Sequence, residues 1–176
     1  MHQKEKNIFL VGLMGAGKTT VGRALAKRLG WKFVDTDHEI VARTGVSIPT
    51  IFEIEGEDGF RRRETQVLSE LAELQNVVLA TGGGIVLAAE NRECLRNNGL
   101  VVYLDVAPRQ LYERTRHDKN RPLLQVENPL ARLEELYAQR EPLYREIADI
   151  VIDGNRCNAQ LSVHIMLKEL EKRCNH

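Results

Sequence analysis

Residues 12–19 read Gly12-Leu13-Met14-Gly15-Ala16-Gly17-Lys18-Thr19, and no other stretch limits the fold of this chain as tightly. The pattern is G-x-x-x-x-G-K-[ST]. It follows an apolar run, Ile8–Val11, that predicts a strand. It leads into Val21, Leu25, Ala26 and Leu29, whose spacing predicts a helix stopping at Gly30. A strand, a glycine-rich turn and a helix form the setting in which this pattern binds phosphate. The glycines let the backbone turn tightly and aim N–H groups at phosphate oxygens. The helix start adds the positive end of its dipole. Gly15, Ala16, Gly17, Lys18, Thr19 and Thr20 are therefore expected to cradle the phosphates of a nucleotide. Lys18 is expected to reach the β- and γ-phosphates, and the Thr19 hydroxyl to ligate magnesium.

The rest of the chain continues in the same rhythm. Further short apolar runs stand at Lys32–Val34, Val77–Ala80, Leu100–Leu104 and Ile150–Ile152. Continuous apolar character predicts strands buried on both faces of a parallel sheet. Amphipathic stretches lie between them, the last marked by Val163, Met166, Leu167 and Leu170. This alternation predicts an α/β fold with three layers, α/β/α, and right-handed crossovers. A length of 176 residues predicts one domain. Two stretches fit the rhythm poorly, Thr44–Glu57 and Arg116–Pro129, and both read as loops. The second is polar, holds Pro122 and Pro129 and follows a basic patch, which predicts a mobile lid.

Composition narrows the partners. Lys plus Arg and Asp plus Glu number 25 each, so the basic excess of a nucleic-acid-binding protein is missing. The three cysteines, Cys94, Cys157 and Cys174, show neither pairing nor zinc spacing, which predicts free thiols and a reducing compartment. The apolar run after Lys4 and Lys6 is cut by Gly12 and Gly15, too short for a signal or spanning segment. We therefore expect a cytoplasmic protein with no nucleic-acid or membrane partner. The histidines (His2, His38, His117, His164 and His176) show no ligand spacing and read as surface positions.

Candidate acceptor-side residues follow from where charge meets apolar pattern. The second strand ends in Asp35-Thr36-Asp37. Ligands of open α/β sheets bind at strand carboxyl ends, so both carboxylates are expected at the site. Two roles await them, a second magnesium contact and a base for an attacking hydroxyl. Strand alternation points the two to one side, although Asp37 also suits a helix cap before His38. A helix from about Glu57 carries the stripe Phe60, Val67, Leu71 and Leu74, and Glu64 falls on it. A core-facing carboxylate needs a partner. Arg61 is three residues earlier and could then offer its fork to a ligand carboxylate. The run Arg61-Arg62-Arg63 cannot face one way, so at least one of the three is a solvated charge.

Gly82, Gly83 and Gly84 end the third strand, where bare backbone suits either close ligand approach or a tight turn. Arg140 sits on the stripe Leu130, Leu133, Tyr137, Tyr144 and Ile147, and either an anion or snorkelling would satisfy it. Pro142 is expected to kink or restart that helix. The basic stretch Arg109, Arg114, Arg116, Lys119 and Arg121 reads as a solvated face or as a lid carrying an arginine to the phosphates.

Taken in order, GLMGAGKTTVGRALA, FVDTDHEI, GEDGFRRRE, VVLATGGG, RPLL at 121–124 and REPLYREIAD from Arg140 resemble the shikimate kinases over nearly the whole chain. The resemblance implies a nucleoside-monophosphate-kinase-like P-loop fold with a five-stranded parallel sheet. It implies a single kinase domain over 1–176, with acceptor-binding helices over about 38–74 and a lid over about 116–129. It implies transfer of the ATP γ-phosphoryl to the 3-hydroxyl of shikimate, with magnesium, in aromatic amino acid biosynthesis, by a monomer. Asp37, Arg61, Gly82–Gly84 and Arg140 would hold shikimate, and Asp37, Lys18 and Arg121 would carry the catalysis. Thr19 and Asp35 would serve the metal. Arg121 would touch ATP phosphates and Arg156 would lie near the adenine. A gluconate kinase, or a nucleotide-binding switch without an acceptor, is the competing reading.

Overall fold

The computed structural model describes residues 6–175. Lys4, His2 and His176 lie outside the described residues. Five strands form one parallel sheet: β1 (Asn7–Val11), β2 (Lys32–Asp35), β3 (Val77–Ala80), β4 (Leu100–Asp105) and β5 (Ile150–Asp153). Their order is β2-β3-β1-β4-β5, so every connection is a crossover. The register pairs Leu10 of β1 with Ala80 of β3 and with Val102 of β4. Strands β1 and β3 are buried along their whole length, as a sheet covered on both faces requires. The edge strands differ from the continuous burial expected of them. β2 is half-buried, and β5 alternates, exposing Val151.

Seven helices are described: α1 (Lys18–Leu29), α2 (Thr36–Thr44), α3 (Ile48–Leu71), α4 (Ala89–Asn98), α5 (Pro108–Thr115), α6 (Pro129–Ile147) and α7 (Ala159–Cys174). Helix α1 packs on β1, β3 and α7, while α4 and α6 pack on β4, giving the three layers. Leu25, Phe9, Leu10, Val101 and Leu133 are at most 1% exposed and mark the core between them. Among the described residues no helix is long and apolar enough to cross a membrane.

Three expectations need correction. Thr44–Glu57 is mostly helix, not loop. Ser47 caps the start by accepting from Thr50 N, and α3 runs from Ile48 to Leu71. Gly56 interrupts it with φ 74°, a left-handed conformation that glycine adopts without a Cβ clash. Helix lies over 36–44 and 48–71, against the expected range of about 38–74; the break at Gly56 starts a helical run at Glu57, as the stripe predicts, and Leu74 lies beyond it, 40% exposed. Helix α6 neither stops nor restarts at Pro142 but continues to Ile147. The segment 116–129 has only a 3₁₀ turn, Pro122–Leu124, before α6 begins. His38, His117 and His164 are exposed, and the three thiols are free.

Candidate active site

The carboxyl end of the sheet gathers four chain turns. After β1, residues 12–17 wrap the start of α1, with Gly15 and Gly17 at φ 83° and 96°. Gly12 has no room for a side chain, since a Cβ there would lie 2.7 Å from the Leu104 carbonyl oxygen. Lys18 is buried, and its Nζ donates to the carbonyls of Gly12 and Leu13, the latter at 2.9 Å. Burial, with Arg121 adding to it, pushes the Lys18 ammonium down to about 7. Such a desolvated cation is poised for an anion.

Asp35 ends β2 and does two things. Its Oδ1 accepts from the N–H groups of Asp37 and His38, capping α2. Its Oδ2 accepts from the Thr19 hydroxyl at 2.9 Å. The cap on α2 is therefore Asp35, not Asp37. Strand alternation does not relate the two carboxylates, because the helix starts at Thr36 between them. They nonetheless line one cavity. Asp37 Oδ1 is buried without a hydrogen-bond partner. Burial, and then the neighbouring Asp35 charge, holds the Asp37 carboxyl above the usual carboxylate range.

Helix α3 brings in Arg61 and Glu64. Arg61 Nη1 pairs with Glu64 Oε1 at 2.9 Å and Nη2 with Glu57 Oε1 at 3.3 Å. Glu64 is fully buried, and desolvation pushes it up to about 7 although Arg61 opposes this. Arg62 and Arg63 are exposed, and Arg63 pairs with Glu55. From α6, Arg140 is only 2% exposed, with no partner for its Nε or Nη1. Burial lowers its pKa. Arg61 Nε and Glu64 Oε2 are likewise buried and unpaired. Buried polar atoms left unpaired in this number, on one cavity wall, make that wall a candidate binding surface for a polar ligand.

The three glycines after β3 fit against these side chains in turn. A Cβ on Gly82 would lie 2.6 Å from Glu64 Oε2 and 3.0 Å from Asp37 Oδ1. On Gly83 it would lie 3.4 Å from Arg140 Nη1, and on Gly84 it would meet Arg61 Nη2 at 2.3 Å. The N–H of Gly82 is not bare as expected, because it donates to Thr36 Oγ1 at 3.0 Å.

Two cavities result. The first, about 770 Å³, is lined by residues 14–20, Asp35, Asp37, Arg114 and Arg121. The second is lined by Arg61, Glu64, Gly82–Gly84 and Arg140, with an apolar wall of Phe52 and Phe60. Asp37, Gly82, Gly83, Asn120 and Arg121 border both. Arg121 is held by Asp118, Nε to Oδ2, at 3.2 Å.

Arg156 is absent from both walls. It is exposed and pairs with Asp153 at 3.6 Å, while its neighbours Gly154, Cys157 and Asn158 do line the first cavity. Asn120 is a cavity residue that sequence reasoning missed, and among the arginines of the basic stretch Arg114 joins Arg121 there, its Nη1 donating to the Gly15 carbonyl at 3.1 Å. Arg114 lies in a recognised basic patch, but its reach to the phosphate loop spans 99 residues and has no local signal.

Comparison with known proteins gives one answer. The shikimate kinase family model matches residues 14–171. A shikimate kinase of Dechloromonas aromatica (strain RCB) is 63% identical over 170 residues, covering 97% of this chain and 93% of that protein. One of Thiobacillus denitrificans (strain ATCC 25259 / T1) is 61% identical over 168 residues, covering 96% and 92%. The solved structure of a shikimate kinase from Acinetobacter baumannii in complex with shikimate is 52% identical, with a TM-score of 0.94 over 97% of this chain and 96% of that one. With phosphate loop, paired cavities and near-complete coverage in agreement, this chain belongs to the shikimate kinase family.

Proposed function

We propose that the chain transfers the γ-phosphoryl of ATP to the 3-hydroxyl of shikimate, giving shikimate 3-phosphate and ADP. One observation carries this reading. Asp37 and Arg121 border both the cavity around the phosphate loop and the cavity lined by buried Arg140 and half-buried Arg61, each with a guanidinium nitrogen left unpaired. A phosphoryl donor on one side and an anionic acceptor on the other would meet at those two residues.

In this reading Arg61 and Arg140 take the acceptor carboxylate through their guanidinium edges. Gly82–Gly84 let the ring approach the backbone, and Phe52 and Phe60 cover its apolar face. Asp37 accepts the proton of the attacking hydroxyl as its oxygen bonds to the γ-phosphorus. The bond from that phosphorus to the β-phosphate oxygen breaks. The raised pKa of Asp37 places it closer to the working pH, as a general base needs. Residues 15–20 hold the phosphates, and Lys18 and Arg121 stabilise the charge of the transferring group.

The touching Thr19 hydroxyl and Asp35 carboxylate are hard oxygen donors of the kind magnesium takes, so these two residues would hold it. Bound there, magnesium would neutralise phosphate charge. The segment 116–129 is read as a lid that carries Arg121, and Arg156 as a rim contact beyond the adenine. We further read the chain as a cytoplasmic monomer without nucleic-acid or membrane partners.

A coupled ADP-release assay with a panel of acceptor acids tests the proposal. Shikimate should be turned over and gluconate should not. Turnover with gluconate alone, or ADP release that no acceptor stimulates, would refute it.

A further inference from the structure

Tyr144 has no part in the chemistry above, yet it touches the acceptor cavity's framework from behind. It is fully buried on α6, four residues after Arg140. Its hydroxyl donates to the Gly83 carbonyl in a short hydrogen bond. The Arg140 guanidinium is the foremost charge acting on that same hydroxyl. Gly83 and Arg140 also approach each other directly, leaving 3.4 Å between Nη1 and the place a Cβ would occupy.

The Tyr144 ring cannot tilt freely. It stacks on Tyr103 with centroids 5.0 Å apart and planes 30° apart. Tyr103 in turn donates to Asp105 Oδ1 at 3.2 Å. Arg140 lacks such restraint of its own, because its Nε and Nη1 have no partner in the protein. A buried cation with unmade bonds is aimed by what packs around it, and here the hydroxyl of Tyr144 sits between it and the glycine turn. Burial keeps that hydroxyl well above its ordinary pKa, so it remains a neutral donor.

We propose that Tyr144 is a positioning residue for the acceptor. Its hydroxyl locks the Gly83 peptide and holds the Arg140 guanidinium toward the acceptor carboxylate. This inference rests on the assignment of Arg140 to that carboxylate.

The test compares Tyr144→Phe with Tyr103→Phe, each of which keeps the stacked rings and removes one hydroxyl. Calorimetric Kd values for shikimate and for ATP are measured with steady-state KM and kcat. Loss of one buried hydrogen bond predicts a shikimate Kd and KM about 10-fold higher in Tyr144→Phe. Its ATP affinity, and its kcat at saturating shikimate, should change by less than about 3-fold. Tyr103→Phe should leave both affinities within about 2-fold, because its hydroxyl bonds Asp105 and not the glycine turn. The inference is overturned if Tyr144→Phe binds shikimate normally, if it loses both ligands together, or if Tyr103→Phe loses shikimate equally. A wild-type protein that bound no shikimate would instead overturn the proposed function itself.

Discussion

Arg61 and Glu64 form an ion pair of 2.9 Å in which the carboxylate is the buried partner, with 1% of its side chain exposed against 21% for the arginine. The arginine thus keeps an edge for a ligand while the glutamate bears the desolvation. The pairing should cost stability and serve binding. Glu64 is pushed from 4.5 to about 7, so between those values the folded state binds more protons than the unfolded one. Stability therefore falls as pH rises through that window, and Asp37 adds a slope of the same sign. Glu64→Gln should flatten the slope. At pH 8 it should be more stable than the wild type, by on the order of 3 kcal/mol at most. Its shikimate KM should rise about 10-fold as Arg61 loses its guide. Urea midpoints at pH 5 and pH 8, read beside shikimate KM, check both signs. An unchanged slope in Glu64→Gln would remove Glu64 from the account.

Gly84→Ala separates function from folding in another way. The added methyl would meet the Arg61 guanidinium, which is the far end of a flexible chain and can move aside. We expect little loss of stability, because no backbone atom is displaced. We expect a shikimate KM raised about 10-fold or more as Arg61 is swung off its ligand, with ATP KM unaffected. A variant with normal shikimate KM would place Arg61 outside the acceptor site.

Asp35 and Asp37 should fail differently although they stand two residues apart. Asp35→Asn keeps the cap on α2, since Asn and Asp cap equally well. It removes the charge beside Asp37 and weakens the Thr19–Asp35 donor pair proposed to hold magnesium, so raised magnesium should recover its turnover by mass action. Asp37→Asn loses the proton acceptor, and its kcat should fall about 10²–10⁴-fold. No magnesium concentration should restore it. The kcat of both variants across a magnesium series decides this, and a recovered Asp37→Asn would contradict the assignment of the base.

Lys18 is a buried ammonium held down to about 7, so it binds fewer protons folded than unfolded between that value and 10.5. Its contribution to stability therefore grows with pH over that window and is a cost at pH 7. Lys18→Met relieves the cost but leaves the Gly12 and Leu13 carbonyls without their donor. The melting temperature at pH 7 should stay within about 4 °C of the wild type. Turnover should drop about 10²–10³-fold, the scale of losing one charge-stabilising donor. Near-normal kcat would contradict the cradle.

Much of the site is legible in the sequence because charge stands where pattern demands an apolar residue. Glu64 and Arg140 show themselves on the stripes of α3 and α6, and the structure buries both. The phosphate loop is legible because it is a contiguous string between a strand and a helix. What escapes sequence reading is long-range or conformational. The stretch 44–57 reads as loop, yet Pro49 lies in the first turn of α3, where its missing N–H costs no bond, and Gly56 only divides two helical runs, so most of the stretch is helix. The distinct duties of Asp35 and Asp37 depend on a helix starting at Thr36. Tyr144 looks like core because its hydroxyl partner, the Gly83 carbonyl, is 61 residues away.

Every role proposed above depends on one event, the movement of phosphorus from ATP to one hydroxyl of one acceptor. ³¹P NMR of a reaction holding ATP, magnesium and shikimate observes that atom directly. The γ-phosphate resonance should be replaced by a phosphomonoester whose phosphorus couples to the proton on carbon 3, with ADP appearing in equal amount. Growth of inorganic phosphate alone, or a phosphomonoester on a different hydroxyl, would contradict it.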